Sequence, residues 1–149
     1  VHQVLYEGED FEAIDLIAYL EQLAVYISSW ASVRYQPTQI RVQGDPVKLG
    51  IDQAVPLGVA VNELISNAVK YCCADGEAGS VDIVVTAGDH EVEVGVRDSG
   101  TADATHFFKE HAQGFGTQLV KLLTEQIGGT VEALPGAGGN IMIRFAVGT

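Results

Sequence analysis

The chain has 149 residues, 47% of them hydrophobic, with 8 Lys and Arg against 20 Asp and Glu for a formal net charge of −12. That length fits one domain with its own core, and the hydrophobic share together with 17 glycines excludes a disordered acidic tail. The acidic balance argues against a phosphate-tracking nucleic-acid binder or a basic membrane-surface helix, both of which need clustered Lys and Arg; a nucleotide stays possible where metal and backbone N–H groups meet its charge.

Apolar runs are short, as at Ile83-Val84-Val85, so no segment is expected to span a membrane, and no basic n-region precedes an apolar stretch. The only cysteines are the neighbours Cys72 and Cys73, which cannot staple distant segments, so a reducing, cytoplasmic setting is expected. The sequence opens on Val1 rather than Met, which suggests a piece of a longer protein.

In chain order, Asp10 to Ala31 carries Ile14, Ile17, Leu20, Leu23, Ala24, Ile27 and Trp30 at three-four spacing, which predicts an amphipathic helix capped by Asp10. Arg34 to Pro37 reads as loop. Gln39 to Gln43 alternates and predicts a short strand closed by Gly44-Asp45-Pro46. A second helix follows, capped by Asp52 with Pro56 near its first turn, and Leu57, Ala60, Val61, Leu64, Ile65, Ala68, Val69 and Cys72 form its apolar stripe. After a loop at Ala74 to Gly79, Val81–Thr86 and Val92–Val96 alternate around Gly88-Asp89 as an antiparallel hairpin. Ser99 to Gln113 has no period and reads as a loop of about 15 residues, longer than compact domains keep without a use. A third helix runs from Gly116 to Ile127, ended by Gly128-Gly129, and Thr130–Leu134 and Ile141–Val147 make a closing hairpin. This order predicts an α+β fold: a two-layer α/β sandwich with a mixed, mostly antiparallel sheet and helices on one face.

Three segments could carry chemistry. Asn62-Glu63-Leu64-Ile65-Ser66-Asn67-Ala68-Val69-Lys70-Tyr71 places Glu63 and Asn67 four apart on one side of a helix, with Lys70 three beyond. A carboxylate, an amide oxygen and an ammonium there can address a nucleophile, a metal and a phosphate, although a solvated helix face would look the same. Arg97-Asp98-Ser99-Gly100-Thr101-Ala102 ends a strand with a carboxylate able to accept from an exocyclic amine, and Gly100 lets backbone approach a flat ligand; a plain Asp-Ser-Gly turn is the other reading. Gly114-Phe115-Gly116-Thr117 opens a helix whose N–H groups can face an anion, or serves as a loop hinge.

In this order the three segments, followed by Gln126-Ile127-Gly128-Gly129, resemble the ATP-binding catalytic domain of sensor histidine kinases, the Bergerat fold shared with gyrase-type ATPases. His2-Gln3-Val4-Leu5-Tyr6 and Ile51 to Gly58 resemble the subgroup with the second type of dimerisation domain and its HWE relatives. The resemblance implies Asn67 as the Mg2+ ligand, Glu63 as the carboxylate that is general base in gyrase-type relatives and orients the accepting histidine in kinases, and Lys70 near phosphate oxygens. Asp98 would accept from the adenine amine with Gly100 lining the base. Gly114 and Gly116 would face the phosphates, and Thr101 to Gln113 would be the ATP lid.

One departure is Ala102, which stands where the family's Asp-x-Gly-x-Gly has its last glycine and bears on how the lid bends. Phe107 and Phe108 read as packing of the lid onto the core rather than as a cover closing over the nucleotide. His106 and His111, five apart, suit neither a helical metal pair nor usual zinc spacing, and the resemblance places His2 at the end of the dimerisation helices rather than at the phosphoacceptor.

The resemblance therefore implies residues 1–9 as the end of a dimerisation or linker segment and residues 10–149 as the catalytic domain of a protein histidine kinase. With ATP and Mg2+ it would pass the γ-phosphoryl group to a histidine on an upstream helix absent from this chain. The implied partners are the histidine-bearing dimerisation domain and a response regulator receiver domain, in a full-length homodimer that binds no nucleic acid. Two rivals are an anti-sigma-factor-type serine kinase on the same pocket and a phosphotransfer adaptor that kept the fold and lost ATP.

Overall fold

The structure is a computed structural model that describes residues 13–34, 38–71, 79–100, 115–135 and 140–147. The chain forms β1 (Ile14–Asp15), α1 (Leu16–Arg34), β2 (Thr38–Gly44), β3 (Lys48–Leu49), α2 (Ile51–Tyr71), β4 (Gly79–Ala87), β5 (Glu91–Asp98), α3 (Phe115–Gln126), β6 (Gly129–Ala133) and β7 (Asn140–Ala146).

Five strands make one sheet in the order β2-β4-β5-β7-β6. The β2–β4 pair is parallel, joined through α2, and every other neighbouring pair is antiparallel. Side chains alternate across it, as strand geometry requires. Val81, Ile83 and Val85 of β4, Val92, Val94 and Val96 of β5, and Ile141, Ile143 and Phe145 of β7 are buried on one face. They meet Leu20 and Ile27 of α1, Leu57, Val61 and Ile65 of α2, and Val120 of α3 in a single core. The opposite face is polar: Arg41 bonds Asp82 across β2 and β4 at 2.9 Å, and Arg144 Nε bonds Glu93 at 2.7 Å while its Nη1 reaches Glu132. The hydrogen bond to Glu93, then that to Glu132, holds the Arg144 guanidinium above arginine's ordinary range. The expected α+β two-layer sandwich is the architecture found.

Two boundaries differ from the sequence reading. The first helix begins at Leu16, because Ile14–Asp15 pairs antiparallel with Lys48–Leu49 and Leu16 N donates to Val47 O at 3.0 Å. Asp15 caps it, accepting from Ala18 N at 3.2 Å, whereas Asp10 lies outside the described residues. In α2 the cap is Gly50, whose carbonyl accepts from Gln53 N at 3.1 Å and Ala54 N at 2.9 Å. Asp52 is thus in the first turn, where its charge suits the positive helix end without capping it. Residues 1–9, proposed as a preceding segment, and Cys72 and Cys73 lie outside the described residues.

Helices α1 and α2 approach closely because Gly58 has no side chain. The Tyr19 ring lies over it, and a Cβ at Gly58 would fall 2.7 Å from the ring's Cε2 and Cζ. Gly58→Ala should therefore push the ring out and cost about 1–3 kcal/mol, as overpacking generally does. Urea denaturation of Gly58→Ala, alone and with Tyr19→Leu, checks this: the second substitution should recover part of the loss, and an unchanged midpoint in the single variant would show that the ring yields freely.

Candidate functional site

The side chains singled out on the second helix fall along one stretch of α2. Asn62, Glu63, Ser66 and Asn67 are half-buried, and Lys70 is exposed in the last turn. The apolar positions Val61, Leu64, Ile65 and Val69 take the inward side, which leaves the polar ones along the flank of the helix. α2 starts at the end of the sheet where Gln53 Nε2 donates to Ala146 O at 2.9 Å. Its run along the sheet carries the Asn62–Lys70 stretch toward the opposite end, where β5 finishes at Asp98.

At that end the chain around Asp98 is tied down. The Gly100 amide donates to Asp98 Oδ1 at 2.8 Å in an Asx turn. Ser99 N donates to Ser80 O at 2.9 Å, and Ser80 N donates to Ser99 Oγ at 3.0 Å. These bonds fasten the end of β5 to the start of β4 and fix the backbone carrying the half-buried carboxylate. Sequence reasoning missed Ser80 and Ser99 as positioning residues. The Asp-Ser-Gly turn signal was present, but the cross-strand partner needs the register.

The second juxtaposition joins α2 to α3. A Cβ on Gly116 would overlap Glu63 Oε2 and lie 3.0 Å from Glu63 Cδ, so the Glu63 carboxylate rests against the first turn of α3 at the one residue type that leaves room for it. Phe115, immediately before, is 81% exposed. Glu63 and Gly116, far apart in sequence, are thereby neighbours, and Asn67 is one turn along α2 from Glu63. Gly114, Ala102, Phe107, Phe108, His106, His111 and the lid at 101–113 lie outside the described residues.

Among the described residues no group of three or more His, Cys, Asp or Glu side chains could hold a metal ion. A carboxylate and an amide one helical turn apart supply too few oxygens for an all-protein site. They suit a hard cation that takes most of its ligands from phosphate oxygens and water. Among the described residues no helix is long and apolar enough to cross a membrane.

Known proteins resemble this chain in sequence and fold. A blue-light-activated histidine kinase from Erythrobacter litoralis is 29% identical over 94 residues, covering 63% of this chain and 26% of that protein. The sensor histidine kinase PdtaS of Mycolicibacterium smegmatis is 27% identical over 152 residues, covering 99% of this chain and 30% of its own length. The chain thus spans less than a third of these curated relatives. Among solved structures, a histidine kinase domain from Erythrobacter litoralis superposes with a TM-score of 0.75 at 23% identity, covering 96% of this chain and 70% of that one. Full-length ShkA, solved in complex with AMPPNP, superposes at 0.68 with 25% identity over 92% of this chain and 31% of its own. Residues 52–148 match the model of the histidine kinase-, DNA gyrase B- and HSP90-like ATPases, and the chain belongs to that family.

Proposed function

We propose that this chain binds Mg·ATP as the catalytic domain of a sensor histidine kinase. The observation that carries the reading is the meeting of the Asn62–Lys70 flank of α2 with Gly116 at the start of α3, in a chain of this ATPase family. ShkA, a structural neighbour, was solved with an ATP analogue, and the curated relatives are sensor histidine kinases.

In this reading Asp98, fixed by the Ser80–Ser99 bonds, accepts a hydrogen bond from the adenine amine, and Gly100 lets the base lie against backbone. The first-turn amides of α3, opened by Gly116 and joined by Gly114, face the phosphate oxygens. Lys70 adds a mobile positive charge from the last turn of α2. Asn67 would hold the Mg2+ ion with phosphate oxygens, and the ion when bound neutralises charge on the triphosphate. Glu63 stands beside the phosphate end, where its carboxylate orients or takes the proton of an incoming nucleophile. The chain's contribution is positioning and charge stabilisation. The nucleophile would be a histidine of a dimerisation domain in the full-length protein, itself a homodimer, and a response regulator receiver domain would take the phosphoryl group next.

Calorimetric titration with ATP, with and without Mg2+, tests the pocket. Asp98→Asn should weaken ATP binding by about 1–3 kcal/mol through loss of one hydrogen bond to a buried amine. An unchanged affinity would remove Asp98 from the adenine site. Asn67→Ala should abolish the gain in affinity that Mg2+ gives; a variant that still binds more tightly with the metal would place the ion elsewhere. Absence of binding by the unaltered chain at millimolar ATP would leave the adaptor reading.

A further inference from the structure

Away from the α2–α3 site, two unusual features meet at one place. The first is β2, which among the described residues is an edge strand whose one ladder is the parallel one to β4. Asp45 N donates to Val85 O at 2.9 Å, so by strand alternation Ile40 and Val42 direct their own amides away from β4, toward the open edge. Among the described residues no other backbone segment bonds that edge. The second is α1, whose 19 residues, LIAYLEQLAVYISSWASVR, hold only Glu21 and Arg34 as charged groups. A helix so uncharged all round is normally covered on every side, yet here Val25 is 71% exposed and Tyr26 63% exposed.

Between them runs an open groove of about 560 Å³ lined by Glu21, Ala24, Val25 and Ser28 of α1 and by Ile40 and Val42 of β2. Among the described residues its floor is apolar, one wall offers strand amides with no backbone partner, and Glu21 is its only charged lining residue. An unprotected edge of this kind usually carries a Lys, a Pro or a bulge against chance pairing. β2 has none of these facing the groove, since Arg41 points to the opposite face and is bound to Asp82.

We propose that this groove is a docking site for an extended, cationic peptide segment of a partner protein, which adds a strand to β2. Alternate apolar side chains of the segment would lie on Ile40, Val42, Ala24 and Val25, and its backbone would bond the outward amides of Ile40 and Val42. The charge of the segment follows from the groove and its surroundings: Glu21 is unopposed among the lining residues, and the chain carries a net −12, which repels a second copy or an acidic strand.

The test titrates the 15N-labelled chain with a synthetic decapeptide alternating valine and lysine, at low salt, beside one alternating valine and glutamate. The lysine peptide should shift the amide resonances of Ile40, Val42 and Val25 and slow hydrogen exchange at Ile40 and Val42. Val25→Lys, an exposed substitution that spares the core, and Glu21→Lys should each weaken this binding about tenfold or more by bringing like charges together. The lysine peptide will also gather loosely on any acidic surface, so the location of the shifts decides. Shifts elsewhere only, equal binding of the glutamate peptide, or survival of binding in Val25→Lys would overturn the proposal. So would concentration-dependent dimerisation of the peptide-free chain through these residues, which would assign the groove to a second copy.

Discussion

Gly44→Ala should remove about 4 kcal/mol of stability, a large part of the roughly 5–15 kcal/mol that holds a domain of this kind together. Gly44 has φ +136°, a backbone conformation that L side chains rarely adopt, and that alone costs about 1–3 kcal/mol. A Cβ there would also stand 2.6 Å from Val85 N and 2.8 Å from Val85 C, with the Val85 carbonyl oxygen nearer still. Those are backbone atoms of a central strand and cannot swing aside as a side chain can. Relief requires parting β2 from β4 at the point where Asp45 N bonds Val85 O and Asp45 Oδ2 accepts from Ala87 N at 2.9 Å. Overpacking of this sort adds about 1–3 kcal/mol. Gly88→Ala is the control, because its Cβ would make an ordinary 3.5 Å contact with Glu91 O, and it should unfold within about 0.5 kcal/mol of the parent. Urea denaturation of the pair measures the difference. A loss below about 1 kcal/mol in Gly44→Ala would mean that the end of β2 relaxes without disturbing β4.

The sequence made the sheet legible because its strands are buried on one face only. Val81, Ile83 and Val85, and Val92, Val94 and Val96, alternate with polar residues so regularly that strand, hairpin and buried face follow together. The paired residues Ile14–Asp15 and Lys48–Leu49 were missed, since two residues carry no period, and their pairing moved the first helix start from Asp10 to Leu16. In α1 the stripe read in the sequence faces the core: Leu20, Ala24 and Ile27 are buried, together with Leu16 and Ala31, and Ile17, Leu23 and Trp30 pack against them. The apolar residues outside that stripe, Val25, Tyr26 and Val33, are exposed, and no spacing rule accounts for them. The α2 flank and the Asp98 turn were legible because residue type and local spacing define them. The approach of Glu63 to Gly116, and the ties from Ser80 to Ser99, depend on strand register and helix packing between distant segments. No local pattern encodes those.

Gly116→Val should separate folding from ligand binding. The added side chain would take the place of the Glu63 carboxylate, but that group is the far end of a flexible side chain and can turn away. Valine is no worse than glycine inside a helix, so stability should change by less than about 1 kcal/mol. Under the proposed function the effect on nucleotide is much larger. The first-turn amides of α3 reach an anion only if nothing projects from Gly116, and a branched side chain covers them while pushing Glu63 out of position. Affinity for Mg·ATP should fall about 100-fold, equivalent to roughly 3 kcal/mol. Calorimetric titration beside urea denaturation checks both halves, and the double variant Gly116→Val with Glu63→Ala identifies the cause. If Gly116 served only to make room for Glu63, removing that carboxylate would restore binding. If its role is to bare the helix end to phosphate, the double variant stays as weak as the single one. Full affinity in Gly116→Val would take the start of α3 out of the phosphate site and leave Glu63 against Gly116 as a packing contact alone.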